Sequence, residues 1–161
     1  EALLSTSVFV NNIRVTLLAI AGGILLGLGT AAIAIYNGML LGALSGIVGG
    51  AGYWSEFVAL VAPHGVLELS CIVVAEVAGL RIGWAIVSPG TLTRLQSLAR
   101  EARPSMELVL GTVPWLVLAG LIEGFVTTNL PGLTEALIVG FGVAAVYWAL
   151  VVLRGGRAPS P

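Results

Sequence analysis

The sequence predicts an all-α, polytopic transmembrane helix bundle of about five spans, with an amphipathic helix lying at the cytoplasmic surface. Three observations predict it. The composition is 58% hydrophobic and 9% charged, against roughly 25% charged residues in soluble domains. The apolar residues fall into runs of about 20, the length that crosses a hydrocarbon core. The 22 glycines are costly in soluble helices but suit membrane helices that pack backbone to backbone. The same composition excludes a disordered chain. A formal net charge of -1 offers no field for nucleic acid. The single cysteine, Cys71, excludes an intrachain disulfide, and no Cys-x-x-Cys metal pair is present.

Each element follows from hydropathy and punctuation. Residues 13 to 36 form the first apolar run, with Arg14 its only charge. Asn37-Gly38 reads as a turn. The glycine-rich stretch from 38 to 52 carries no charge and is short for a span; with 53 to 62 added it either crosses once or forms a re-entrant hairpin. Pro63 fits a helix's first turn, so 63 to 87 is the third span. Pro104 to Thr128 is the fourth and 134 to 153 the fifth. Between spans three and four, Leu92, Leu95, Leu98, Ala99 and Ala102 share one side of a helix, opposite Arg94, Arg100, Glu101 and Arg103. That pattern predicts the surface helix over 88 to 103.

Arginines orient the chain. The 88 to 103 connection and the tail, with Arg154 and Arg157, belong in the cytoplasm. Residues 1 to 153 then form one membrane domain and 154 to 161 a cytoplasmic tail. A single crossing by 38 to 62 places the N-terminus outside, with Arg14 the one violation. The chain opens at Glu1, so a spanning helix upstream is expected.

Small residues recur every four positions, at Gly38, Gly42, Gly46 and Gly50, and at Ala19, Gly23, Gly27 and Ala31. Each row is a flat face open to close helix contact, within the chain or across a homodimer.

Ionisable groups in a bilayer are functional candidates. His64 and Glu68 share a helix face near the start of span three, and Glu123 lies near the matching end of span four. With Pro63 at the outer surface, Glu68 sits about 7 Å below it. Asn11 and Asn12 reach the same level from span one. One imidazole and two carboxylates suit a divalent metal, zinc above all; the alternative is a hydrogen-bonded clamp. Cys71 reads as a small apolar residue. Glu76 is protonated, paired with Arg81 or facing a cavity. Glu107 and Glu135 suit first turns of helices. Glu56 follows the interfacial aromatics Tyr53 and Trp54. No HExxH, GxSxG, Walker A or dinucleotide fingerprint occurs.

The order Phe9-Val10-Asn11-Asn12, Asn37-Gly38 with Gly42, Pro63-His64-Gly65 with Glu68, Gly79-Leu80 and Ile122-Glu123-Gly124-Phe125 resembles the stage II sporulation protein M family over roughly residues 8 to 150. The resemblance implies a multi-spanning membrane protein, normally with a further helix upstream. It implies that His64, Glu68, Glu123, Asn11, Asn12, Asn37 and Gly38 fall on recurring family positions. It also implies a partner role, since the founding member holds peptidoglycan-degrading proteins at the septum during engulfment.

The functional expectation is therefore a non-enzymatic scaffold of the cell membrane. It would dimerise, recruit cell-wall-remodelling partners and carry a polar or zinc site near its outer face. An intramembrane metal-dependent hydrolase is the alternative, with a transporter using Glu76 behind it.

Overall fold

The computed structural model describes residues 2–155, and within them the side chains of 10–153. The side chains of Phe9 and Arg154, and residues 156–161 of the expected tail with Arg157, lie outside the described residues. Five helices follow in order: α1 Ala2–Gly22, α2 Leu28–Gly50, α3 Trp54–Val87, α4 Arg94–Leu121 and α5 Leu133–Gly155. No strand occurs among the described residues. Among the described residues, four helical stretches are long and apolar enough to cross a membrane, from α2, α3, α4 with its extension to Asn129, and α5. The described apolar run of α1, Val10–Gly22, is shorter.

The first turn is not at Asn37-Gly38 but at 23–27, and both Asn37 and Gly38 lie inside α2. Gly22-Gly23 weakens the helix there. Leu26 and Gly27 take positive φ values of 58° and 82°. Hydropathy misses this turn because it is apolar. Ile24, Leu25, Leu26 and Leu28 are all exposed. Such a turn survives beside lipid only with its backbone groups satisfied. The N–H groups of Gly23, Ile24, Leu25, Gly27 and Leu28 donate back to carbonyls three or four residues earlier. The Thr30 hydroxyl donates to the Ala19 carbonyl at 2.7 Å, one of the carbonyls that the end of α1 leaves open. This bond ties α1 and α2 into an antiparallel hairpin. Residues 28–50 form one unbroken helix, the chain turns at 51–53 and α3 follows, so 38 to 62 is neither a single crossing nor a separate re-entrant hairpin but is divided between α2 and α3.

α3 packs against every other helix or its extension. It starts at Trp54, nine residues before Pro63, which lies inside it. Proline within a membrane helix is tolerated when neighbours cover the disturbed backbone. Here Pro63 is fully buried, and Gly140 of α5 lies against the Ala62 carbonyl. The Ser70 hydroxyl accepts a bond from Trp148 Nε1 at 3.0 Å, 78 residues on, the same offset as Ala62 to Gly140. α3 and α5 therefore run parallel, with Leu133 level with Ser55 and Gly155 level with Val77.

The surface helix expected over 88 to 103 is not separate. Residues 88–93 form a loop, with Gly90 at φ 62°. A capping box then starts α4: Thr93 Oγ1 accepts from Gln96 N–H at 3.3 Å, and Gln96 Oε1 accepts from Thr93 N–H at 3.0 Å. The helix continues through Pro104 and Pro114 to Leu121. Its first turns keep part of the expected amphipathic face, with Leu98 and Ala102 half-buried. Leu95 departs from it at 75% exposed.

Two apolar clusters hold the bundle. Ala19, Ile20, Ala75, Ala78, Ile82 and Val109 join α1, α3 and α4. Leu67, Cys71, Leu116, Ala119 and Tyr147 join α3, α4 and α5, with the Trp115 and Tyr147 rings edge to face at 5.3 Å. In lipid such contacts act by close packing rather than by water exclusion, so small residues matter. A Cβ on Gly79 would collide with the Ala19 carbonyl, and one on Gly83 with the Gly27 backbone. The Ala19–Gly23–Gly27 row thus packs within the chain. Among the described residues, nothing lies within 4 Å of where a Cβ would stand on Gly38, Gly42, Gly46 or Gly50, so no described intrachain contact explains that row.

Candidate functional site: a polar cavity at the head of α4

α3 and α4 run antiparallel, with Arg81 opposite Glu101 and Cys71 opposite Thr112. Further up, His64 meets Thr127. Seven residues of α3 are matched there by fifteen of α4, so the end of α4 cannot run straight alongside. Pro114 lies within that stretch, and a π-helical segment, Ile122–Val126, and a 3-10 turn, Thr127–Asn129, end it. Prolines and π segments are common causes of such bends, and π segments are frequent at functional sites.

The π segment builds one side of the site. Thr127 N–H bonds the Ile122 carbonyl five residues back, and the Thr127 hydroxyl donates to the same oxygen at 3.1 Å. That hydroxyl proton is then committed. With the proton so placed, the 3.4 Å approach of His64 Nδ1 to Thr127 Oγ1 is a bond that the tautomer protonated at Nδ1 donates and the hydroxyl oxygen accepts.

Glu68 lies one turn along α3 from His64, on the same face. The two are 6% and 5% exposed. The Asn12 side chain, from α1, lies within hydrogen-bonding reach of the Glu68 carboxyl, and the Glu123 carboxyl is close enough to act on it through space. Glu68 Oε1 is buried without a hydrogen-bond partner, an arrangement that costs about 1–3 kcal/mol.

Asn12, His64, Glu68, Glu123, Thr127 and Thr128 line one cavity of about 560 Å³. Leu41 and Leu44 of α2, with Phe57, Leu60 and Ile72 of α3, supply much of its apolar wall. The tertiary structure thus brings His64, Glu68, Glu123 and Asn12 to the wall of one cavity. Asn11 is not part of it and is exposed. Thr127 and Thr128 escaped sequence reasoning, although Thr127 stands one turn beyond Glu123. The depth changes too. Pro63 does not start its helix, and Glu68 lies about 20 Å along α3 from the level where α5 begins. The site is nearer the middle of the bundle than the expected 7 Å.

Among the described residues, no three His, Cys, Asp or Glu side chains are placed to hold a metal ion. The trio shares a cavity without closing a coordination sphere. Cys71 lies in the α3–α4–α5 core, fully buried, within reach of the Tyr147 hydroxyl. Glu76 is half-buried, and Arg81 pairs at 2.6 Å with Glu101 instead. Glu107 lies well inside α4 and pairs with Arg103 at 2.9 Å, so a first-turn dipole does not explain it. Glu135 does occupy the first turn of α5.

Every polar residue of the cavity falls within residues 1–128, and those residues match the family described as Stage II sporulation protein M. The chain belongs to that family. The match ends at Thr128, before α5. An uncharacterized protein of Methanocaldococcus jannaschii, MJ0793, is 29% identical over 126 residues, covering 77% of this chain and 71% of the relative. No solved structure matches. Family membership and four long apolar helices together make this a multi-pass membrane protein.

Proposed function

We propose that this family member is a non-enzymatic scaffold of the cell membrane that works as a homodimer. The observation that carries the reading is α2. Among the described residues, none of its most apolar stretch is buried, yet it presents Gly38, Gly42, Gly46 and Gly50 in one row with nothing packed on it. A face of this kind is self-complementary. Two copies related by a two-fold axis bring their backbones together along it. The partners recruited by the dimer would be peptidoglycan-hydrolase-type proteins, as the family's founding member suggests. The test is oligomeric state in lipid nanodiscs, supported by disulfide formation between copies carrying cysteine at Gly46. A wild-type chain that stays monomeric and does not cross-link overturns the reading.

In this reading the cavity is a clamp. His64 and Thr127 tie α3 to the end of α4, and Asn12 and Glu68 tie α1 to α3. Zinc is the second reading, favoured by two carboxyls and an imidazole lining one cavity. It requires the three side chains to close around the ion, which would then offset the cost of the buried carboxylates. Neither reading gives Glu68 or Glu123 a substrate to act on, so hydrolysis and transport find less support.

A further inference from the structure

A second concavity lies at the opposite, arginine-rich end of the bundle. It has about 900 Å³ of space and three walls. The α1–α2 turn contributes Leu26 and Leu28, the last turns of α3 contribute Leu80 and Trp84, and the first turns of α4 contribute Ser97 and Arg100. The apolar walls are themselves exposed, with Leu28 at 71% and Trp84 at 67%.

The polar rim has a definite sign. Arg81 and Arg100 both line the groove with Glu101. Arg81 reaches Glu101 through Nη2, which leaves further N–H donors on its guanidinium. Among the described residues Arg100 makes no ion pair. This end of the bundle carries four arginines, Arg81, Arg94, Arg100 and Arg103, against Glu101 and Glu107.

We propose that this groove binds the headgroup of an anionic phospholipid from the leaflet at that end. Guanidinium groups match phosphate oxygens in geometry as well as in charge. Basic pockets between helices on the cytoplasmic side are built for such headgroups. The leucines and Trp84 receive the first methylenes of the acyl chains. The α1–α2 turn can lie against those chains because the N–H groups of Gly23, Ile24, Leu25 and Gly27 are already bonded to carbonyls of α1 and of the turn itself. A soluble phosphate would use the arginines but would leave the leucine walls without a role.

The test uses the full chain purified in neutral detergent, with lipid binding read by native mass spectrometry and by melting temperature. Phosphatidylglycerol should bind and raise the melting temperature, while phosphatidylcholine and inorganic phosphate should do neither. Arg100→Gln should weaken phosphatidylglycerol binding about fivefold, the equivalent of roughly 1 kcal/mol for one arginine near an anionic surface. Its exposed position leaves the lipid-free melting temperature unchanged. Arg14→Gln, outside the groove, should bind as wild type does. Equal binding of the two lipids, full stabilisation by inorganic phosphate, or undiminished binding by Arg100→Gln each overturns the proposal.

Discussion

His64 and Thr127 are 63 residues apart in the chain, and His64 Nδ1 stands 3.4 Å from Thr127 Oγ1 in the fold. The pair exists because a π-helical segment turns the end of α4 over α3. It joins two helices at a level where lipid supplies no competing hydrogen bonds.

Thr127→Val should therefore strand the His64 Nδ1–H while barely changing side-chain volume. The expected loss is about 1–3 kcal/mol, seen as a lower melting temperature in detergent. Adding His64→Leu to Thr127→Val should cost less than the sum of the two single changes, as for residues in direct contact. Additive effects would mean that the two side chains do not interact.

The two glycine rows should respond differently. Gly79→Ala forces a Cβ against the Ala19 carbonyl and should destabilise the monomer by about 1–3 kcal/mol or more. Gly42→Ala meets open space and should change monomer stability by less than about 0.5 kcal/mol. Gly42→Leu should leave the monomer folded and abolish the dimer. Sedimentation and thermal melting of the three variants check all of this together.

Metal analysis separates clamp from zinc site. Under the zinc reading, His64→Ala and Glu123→Gln lower metal per chain and melting temperature together, and chelation destabilises the wild type. Under the clamp reading, the wild type is zinc-free and indifferent to chelation. In that case His64→Ala still lowers the melting temperature. Metal content and melting curves of the three proteins, with and without chelator, distinguish the outcomes.

Orientation is checked by labelling. Cysteines at Thr91, in the exposed loop before α4, and at Pro131, in the loop before α5, should react from opposite sides. Thr91 should label from the cytoplasm and Pro131 from outside. Native Cys71 is fully buried and gives little background. Reaction of Thr91 from outside would reverse the positive-inside assignment.

Sequence alone determined the membrane class and the helical fold, because hydropathy and composition act over whole segments, while the family resemblance was carried by short motifs such as Pro63-His64-Gly65 with Glu68 and Ile122-Glu123-Gly124-Phe125. It also marked His64, Glu68, Asn12 and Glu123, since charge and amide groups inside apolar runs stand out without any three-dimensional information. Where the helices begin and end was a different matter. The apolar turn at 23–27 carries no polar signal and is stabilised by Gly23 packed on Gly79 and by Thr30 bonded to Ala19. Pro63 and Pro104 read as helix starts, yet both lie inside helices, because neighbouring helices cover what proline disrupts. Which glycine row faces inward was equally invisible, since both repeat every four residues with the same chemistry. Only tertiary structure decided that Ala19–Gly27 packs on α3 while Gly38–Gly50 stays open, and that the π segment brings Thr127 to His64. Those outcomes depend on contacts between segments far apart in the chain, and local pattern carries no record of them.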